Sequence, residues 1–195
     1  MDTMFFTLLL AVFTETFLEY QLVIYAPFYI SEETHALDST VNLFVALTLS
    51  SYPLGLMLGH RPRHGLLSHF GPKQALKCHF AMNLLGVFIQ SDCHLFDRSI
   101  YHFIAGNLVM GSLGNSWSSI LSTAHHLERD GSSSRNALYC SISTAHGMGA
   151  ILAGLIGAFF DVHSRRTGLW IDTPFIVGIV LCAVTMIIEH DAMSW

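Results

Sequence analysis

The sequence predicts an all-α, polytopic membrane protein: six transmembrane helices forming a single domain over residues 1–195. Three observations predict it. First, 52% of residues are hydrophobic and only 12% are charged, against about 25% charged in an average soluble domain. Second, mean hydropathy is +0.49, and the apolar residues form long blocks separated by short polar stretches. Third, few charges fall inside the blocks, as a hydrocarbon environment demands.

Span one runs from about Met4 to Ile30, longer than the roughly 20 residues a bilayer crossing needs. An acidic loop with Glu32, Glu33 and Asp38 follows. Span two covers about Val41 to Gly59, with a kink expected at Pro53. The stretch His60 to Lys73 reads as the most basic loop of the chain. Span three, about Gln74 to Gln90, is short, and Lys77 near its start has to snorkel. Ser91 to Arg98 is a loop with two aspartates. Span four covers about Ser99 to Ala124. His125 to Arg135 is polar, with Gly131-Ser132-Ser133-Ser134 as a flexible tip. Span five covers about Asn136 to Phe160. Asp161 to Asp172 is a loop, and span six covers about Thr173 to Ile188.

Charge placement orients the bundle. With the N-terminus in the cytoplasm, the inner loops carry Arg61, Arg63, Lys73, Lys77, Arg129 and Arg135. The outer loops carry Arg98, Arg165 and Arg166. The excess of inner Lys and Arg favours this orientation. The opening Met1-Asp2-Thr3 has no basic residue, so no cleaved signal peptide is expected. No basic patch with interleaved aromatics is present, so nucleic acid is not an expected partner. Cys78, Cys93, Cys140 and Cys182 are scattered and read as small core residues.

The most informative stretch is Phe13-Thr14-Glu15-Thr16-Phe17-Leu18-Glu19-Tyr20. Each charge at that depth costs at least about 2.5 kcal/mol on insertion scales. Glu15 and Glu19 are four apart and share a helical face, which should look into protein or a wet cavity. The alternative is that both sit near one end of a tilted helix and reach water. On span four, Asn107, Gly111, Asn115 and Ser118 form a polar stripe that either lines a cavity or bonds neighbouring helices. Gly149, Gly154 and Gly157 on span five, with Gly147, read as helix-packing positions. Twelve histidines raise the question of a metal. His60 and His64 are four apart but straddle Pro62, and His125 and His126 point apart. No third ligand is set by spacing, so neither metal nor cofactor is expected. An enzyme is not expected either. A rhomboid-like protease would pair a span-four serine with a span-six histidine. Gly111-Ser112-Leu113-Gly114 has the serine one place early, and span six has no histidine before His190.

Gly65-Leu-Leu-Ser-His-Phe-Gly-Pro-Lys73 resembles the loop between spans two and three of the major facilitator superfamily, G-x-L-x-D-R-x-G-R-K. Ser68 stands at the aspartate and His69 at the first arginine. Gly149 to Gly157 is similar to the span-five motif G-x-x-x-G-P-x-x-G, with Ala153 and Gly154 at its G and P. Glu15, twelve residues before Pro27, is similar in placement to the span-one aspartate of drug:proton antiporters and vesicular amine transporters. Arg135 and Thr173-Pro174-Phe175 fit the same subfamily. Asn107 falls where the family has a span-four arginine tied to proton coupling. The resemblance covers nearly the whole chain, but only the N-terminal half of the family's twelve spans.

The resemblance implies one bundle of a two-bundle rocker, with spans one and four lining a cavity near the midplane. Glu15, Glu19, Asn107 and Asn115 are then the expected solute- or proton-binding residues. Gly65, Ser68, His69, Gly71 and Lys73 are the expected gating loop. The implied function is transmembrane transport of a small organic, cationic solute. The alternative is a truncated, non-transporting bundle that acts as an interaction partner. Expected partners are the lipid bilayer, the solute, and either a second copy of the chain or a missing C-terminal half.

Overall fold

Every described element is helical, and no strand occurs among the described residues. The computed structural model describes residues 3–34, 38–90, 100–129, 134–167 and 173–192. The elements are α1 (Thr3–Thr34), α2 (Asp38–Gln90), α3 (Ile100–Val109), a π-helical turn (Met110–Gly114), α4 (Trp117–Arg129), α5 (Arg135–Thr167) and α6 (Thr173–Ala192). Among the described residues, three segments are long and apolar enough to cross a membrane: Met4–Pro27, Val41–Gln90 and Arg135–Ile156. Val177–Ile188 is apolar but shorter. The expected all-α class is observed. The expected division into six spans differs in two places.

The first is the basic stretch. His60 to Lys73 is helical on both sides of Gly71, the one position in α2 with non-helical dihedrals (φ 77°, ψ 170°). Only glycine adopts this conformation without strain. The following Pro72 also disfavours a helical residue before it and suits the first turn of a new helix. A straight helix of this length would span about 80 Å, but the chain reverses at Gly71. Thr48 and Gln90, on opposite arms, both reach Asn107. The expected gating loop thus shrinks to a single reversing residue. Gly65, Ser68 and His69 lie on the helical arm before it and Lys73 just after it. Pro53 causes no break in helical dihedrals.

The second is span four, which is not continuous. It runs as α3, widens into the π turn, and stops at Asn115 (φ −65°, ψ 113°) before restarting as α4. A π turn leaves carbonyls without their usual partners. In hydrocarbon such groups must be satisfied by protein. Arg63 Nη1 donates to Gly111 O (2.9 Å), and His79 Nδ1 donates to Leu113 O (2.5 Å).

Helix α1 is the centre of the packing, with Leu8, Val12 and Phe17 fully buried. It contacts α5, α6, α4 and α2. Glycines set the closest approaches. A Cβ at Gly149 would stand 2.6 Å from Phe13 O of α1, and one at Gly55 would stand 2.5 Å from Leu108 O of α3. A Cβ at Gly59 would collide with Ser112 O, and one at Gly111 with Tyr52 O. Gly154 differs from the expectation of tight packing: its Cβ would meet only Ile24 Cδ1 at 3.8 Å. The surroundings of Gly157 lie outside the described residues, as do Cys93 and the loop Ser91 to Arg98. Outward faces are apolar, with Leu43, Leu47, Met57 and Leu58 on α2, Met148, Ile151 and Leu155 on α5, and Val180 and Ile187 on α6 exposed.

Candidate functional site

The break in span four and the carboxylate of Glu15 meet at one point. Ser116 is the residue before α4, and its carbonyl accepts the first helical bond, from Ile120 N (2.9 Å). Its own N–H therefore faces out of the helix start. That N–H donates to Glu15 Oε1 (3.3 Å), and Ser116 Oγ donates to Glu15 Oε2 (2.9 Å). Asn83, from the second arm of α2, donates through Nδ2 to the same Oε2 (3.0 Å). Glu15 is 2% exposed, so three donors meet a carboxylate that only accepts. It also lies at the positive end of α4. Three elements are tied together through this one side chain.

Glu19 is placed differently. It is half-buried, and among the described residues its carboxylate has no hydrogen-bond partner. It lies within electrostatic reach of His146 on α5. Thr16, one turn earlier on α1, gives its hydroxyl proton to Val12 O (2.9 Å). His146 Nδ1 is 2.9 Å from the same hydroxyl oxygen. If the threonine proton goes to Val12 O, the imidazole is the donor through Nδ1. The Tyr20 and His146 ring centroids are 6.0 Å apart at 81°, and those of Trp117 and His146 are 5.7 Å apart at 57°.

The span-four stripe does not stay together. Asn107 is fully buried and packs into α2: Gln90 Nε2 donates to its Oδ1, and its Nδ2 donates to Thr48 O (3.4 Å). Asn115 donates to the Tyr52 hydroxyl (3.3 Å). Ser118 lies beyond the break and is exposed. The two asparagines therefore make interhelical bonds, Glu15 alone is bonded to the start of α4, and the Tyr52 hydroxyl that Asn115 meets lies within electrostatic reach of both glutamates.

Asn83, Ser116, Tyr52 and Trp117 escaped the sequence reading as partners of these groups. Asn83 had a signal, being the one amide within the otherwise apolar run from Phe80 to Ile89 of span three. Ser116 had none, because the break that frees its N–H is invisible in composition. Among the described residues, no three His, Cys, Asp or Glu side chains gather as metal ligands would. Compared with known proteins, the chain matches no family model, no curated protein and no solved structure.

Proposed function

We propose that the chain is a six-span bundle of major facilitator type, equivalent to an N-terminal half, that serves the transport of a small organic cation. The observation that carries this reading is a symmetry in the packing. Counting the arms of α2 as spans two and three, and α3 to α4 as span four, the chain divides into two triplets. Span one packs on span five through Gly149 and Phe13, and span four packs on span two through Gly111 and Tyr52. Span one meets span six through Thr14 and Thr185, whose hydroxyls are 3.0 Å apart. Span four meets span three through Gly106 and Gly86. Exchanging the triplets turns each pair into the other. Span one with four (Glu15, Ser116) and span three with six (Val87, Gly178) map onto themselves. Triplets with an odd number of spans start on opposite sides of a membrane. Inverted three-span repeats of this kind are nested in each half of a major facilitator transporter.

The pivots of that symmetry are spans one and four, and these carry the buried carboxylate and the broken helix. Discontinuous helices and half-buried charge near the midplane are what solute sites in such transporters are built from. The N-terminus is cytoplasmic in this reading, from the excess of Lys and Arg in the inner loops. The test is reconstitution of the purified chain into liposomes with a panel of amines and lipophilic cations. Saturable uptake supports the reading. A monodisperse, helical chain with no uptake of any panel member would identify a non-transporting bundle.

A further inference from the structure

The reversal at Gly71 gathers cations that the fold leaves unpaired. Between Asp38 and Asp92 the chain has no acidic residue, yet Arg61, Arg63, Lys73 and Lys77 flank Gly71 on its two arms, with His60, His64 and His69 among them. Arg63 is engaged inside the bundle, where it donates to Gly111 O (2.9 Å) and Leu56 O (2.7 Å). The other three differ. Among the described residues, the ion pairs join Glu128 to His125 and to Arg135, and Arg61, Lys73 and Lys77 take part in none. Arg61 is exposed, and Lys73 and Lys77 are half-buried. Half-burial suits a lysine whose stem lies along apolar neighbours while its ammonium reaches out.

Helix geometry puts Arg61 on a particular face. Leu47, Leu54, Met57, Arg61, His64 and Ser68 follow one another at spacings of seven, three, four, three and four, so they form one stripe along the first arm of α2. All of them are exposed. Gly59 and Arg63 lie off that stripe and meet Ser112 and Gly111 of the π turn. The stripe is therefore the face turned away from the bundle. It is apolar down to Met57, which is 77% exposed, and cationic or polar from Arg61 on. An outward apolar face on a helix long enough to cross a membrane fits acyl chains. An unpaired guanidinium is costly among such chains, and is satisfied where the phosphates begin. Charge then selects the headgroup. Free Lys and Arg beside a span, with no acid among them, attract anionic lipids over zwitterionic ones.

We infer that the reversal end of α2 is a docking surface for anionic phospholipids. Acyl chains lie along the stripe down to Met57, and Arg61, Lys73 and Lys77 hold the headgroup phosphates. The surface lies apart from the Glu15 site and needs neither a solute nor transport.

The experiment is native mass spectrometry of the full chain released from detergent, titrated with phosphatidylglycerol or with phosphatidylcholine of the same acyl chains. Phosphatidylglycerol is expected to bind more tightly by about tenfold or more, with an advantage that shrinks as salt is raised. Arg61→Gln, Lys73→Gln and Lys77→Gln should each weaken its binding by about fivefold, and Arg61→Lys should preserve it. Arg135→Gln removes the same charge from a position already paired with Glu128 (3.5 Å), and should leave binding unchanged. Circular dichroism of each variant verifies that the helices are intact. Equal binding of the two lipids would overturn the surface. So would equal weakening by Arg135→Gln and Arg61→Gln, because net charge alone would then explain it. Displacement of phosphatidylglycerol by an equal concentration of glycerol phosphate would mark a site for free anions and overturn the lipid assignment, whereas retention supports it.

Discussion

At the scale of single residues, Glu15 is the side chain on which most depends. Its carboxylate is the shared acceptor of three donors from two other elements. Removing one donor weakens the node, whereas removing the acceptor strands all three donors inside an apolar bundle. A hydrogen bond to a charged group is worth about 1.5–3 kcal/mol, with smaller values, about 0.6 kcal/mol on average, for side-chain bonds between membrane helices. Ser116→Ala should therefore lower stability by about 1–2 kcal/mol. Glu15→Ala should cost more than Glu15→Gln, because glutamine still offers one acceptor oxygen. Thermal unfolding of the purified variants in detergent checks the order. Equal melting of Glu15→Ala and the parent would show that the three bonds contribute nothing.

At the scale of elements, glycine spacing decides how closely the helices approach. The glycines of this chain are not equivalent. Gly149 meets the backbone of α1, and Gly59 and Gly111 meet backbone across the α2–π-turn contact. A methyl group at any of them forces whole helices apart, and overpacking of that kind costs about 1–3 kcal/mol or more. Gly147 lies two residues from Gly149, yet a Cβ there would meet nothing within 4 Å. Gly149→Ala and Gly59→Ala should therefore destabilise the chain. Gly147→Ala should be neutral or stabilising by up to about 1 kcal/mol, through its higher helix propensity. Melting temperatures of the three variants separate the cases. A harmless Gly59→Ala would mean that α2 and the π turn do not pack as closely as described. Gly71 is a different case, since space surrounds it but its φ of 77° is costly for any side chain. Gly71→Val should strain the reversal between the two arms of α2 by about 1–3 kcal/mol, read as a lower melting temperature.

At the scale of the whole molecule, the reversal at Gly71 and the charge bias make a joint prediction about sidedness. In the proposed orientation the end of the first arm is expected on the cytoplasmic side, and the start of α3 on the opposite side. Ser68 and Tyr101 are both exposed, so each can report. In a chain stripped of its native cysteines, Ser68→Cys should be protected from an impermeant thiol reagent in intact cells. Tyr101→Cys should be labelled. The opposite pattern would invert the bundle, and labelling of both from outside would deny that the second arm crosses the membrane.

The same division of labour between local and distant information runs through these predictions. Hydropathy made the helical class and the approximate limits of α1, α5 and α6 legible, because the apolar length of a segment is a property that it carries on its own. Two carboxylates within one apolar stretch also marked α1 as special before any contact was known. The reversal at Gly71 was partly legible, since Gly-Pro within a helical stretch is a local signal. The break before α4 was not. It depends on Arg63 and His79, far along the chain, accepting the duty of satisfying the freed carbonyls of Gly111 and Leu113. Likewise, nothing local distinguishes Glu15 from Glu19. They share residue type, helix and face, and only the neighbours brought in by folding, Asn83 and Ser116 on one side and His146 on the other, make one a structural node and leave the other with no hydrogen-bond partner among the described residues.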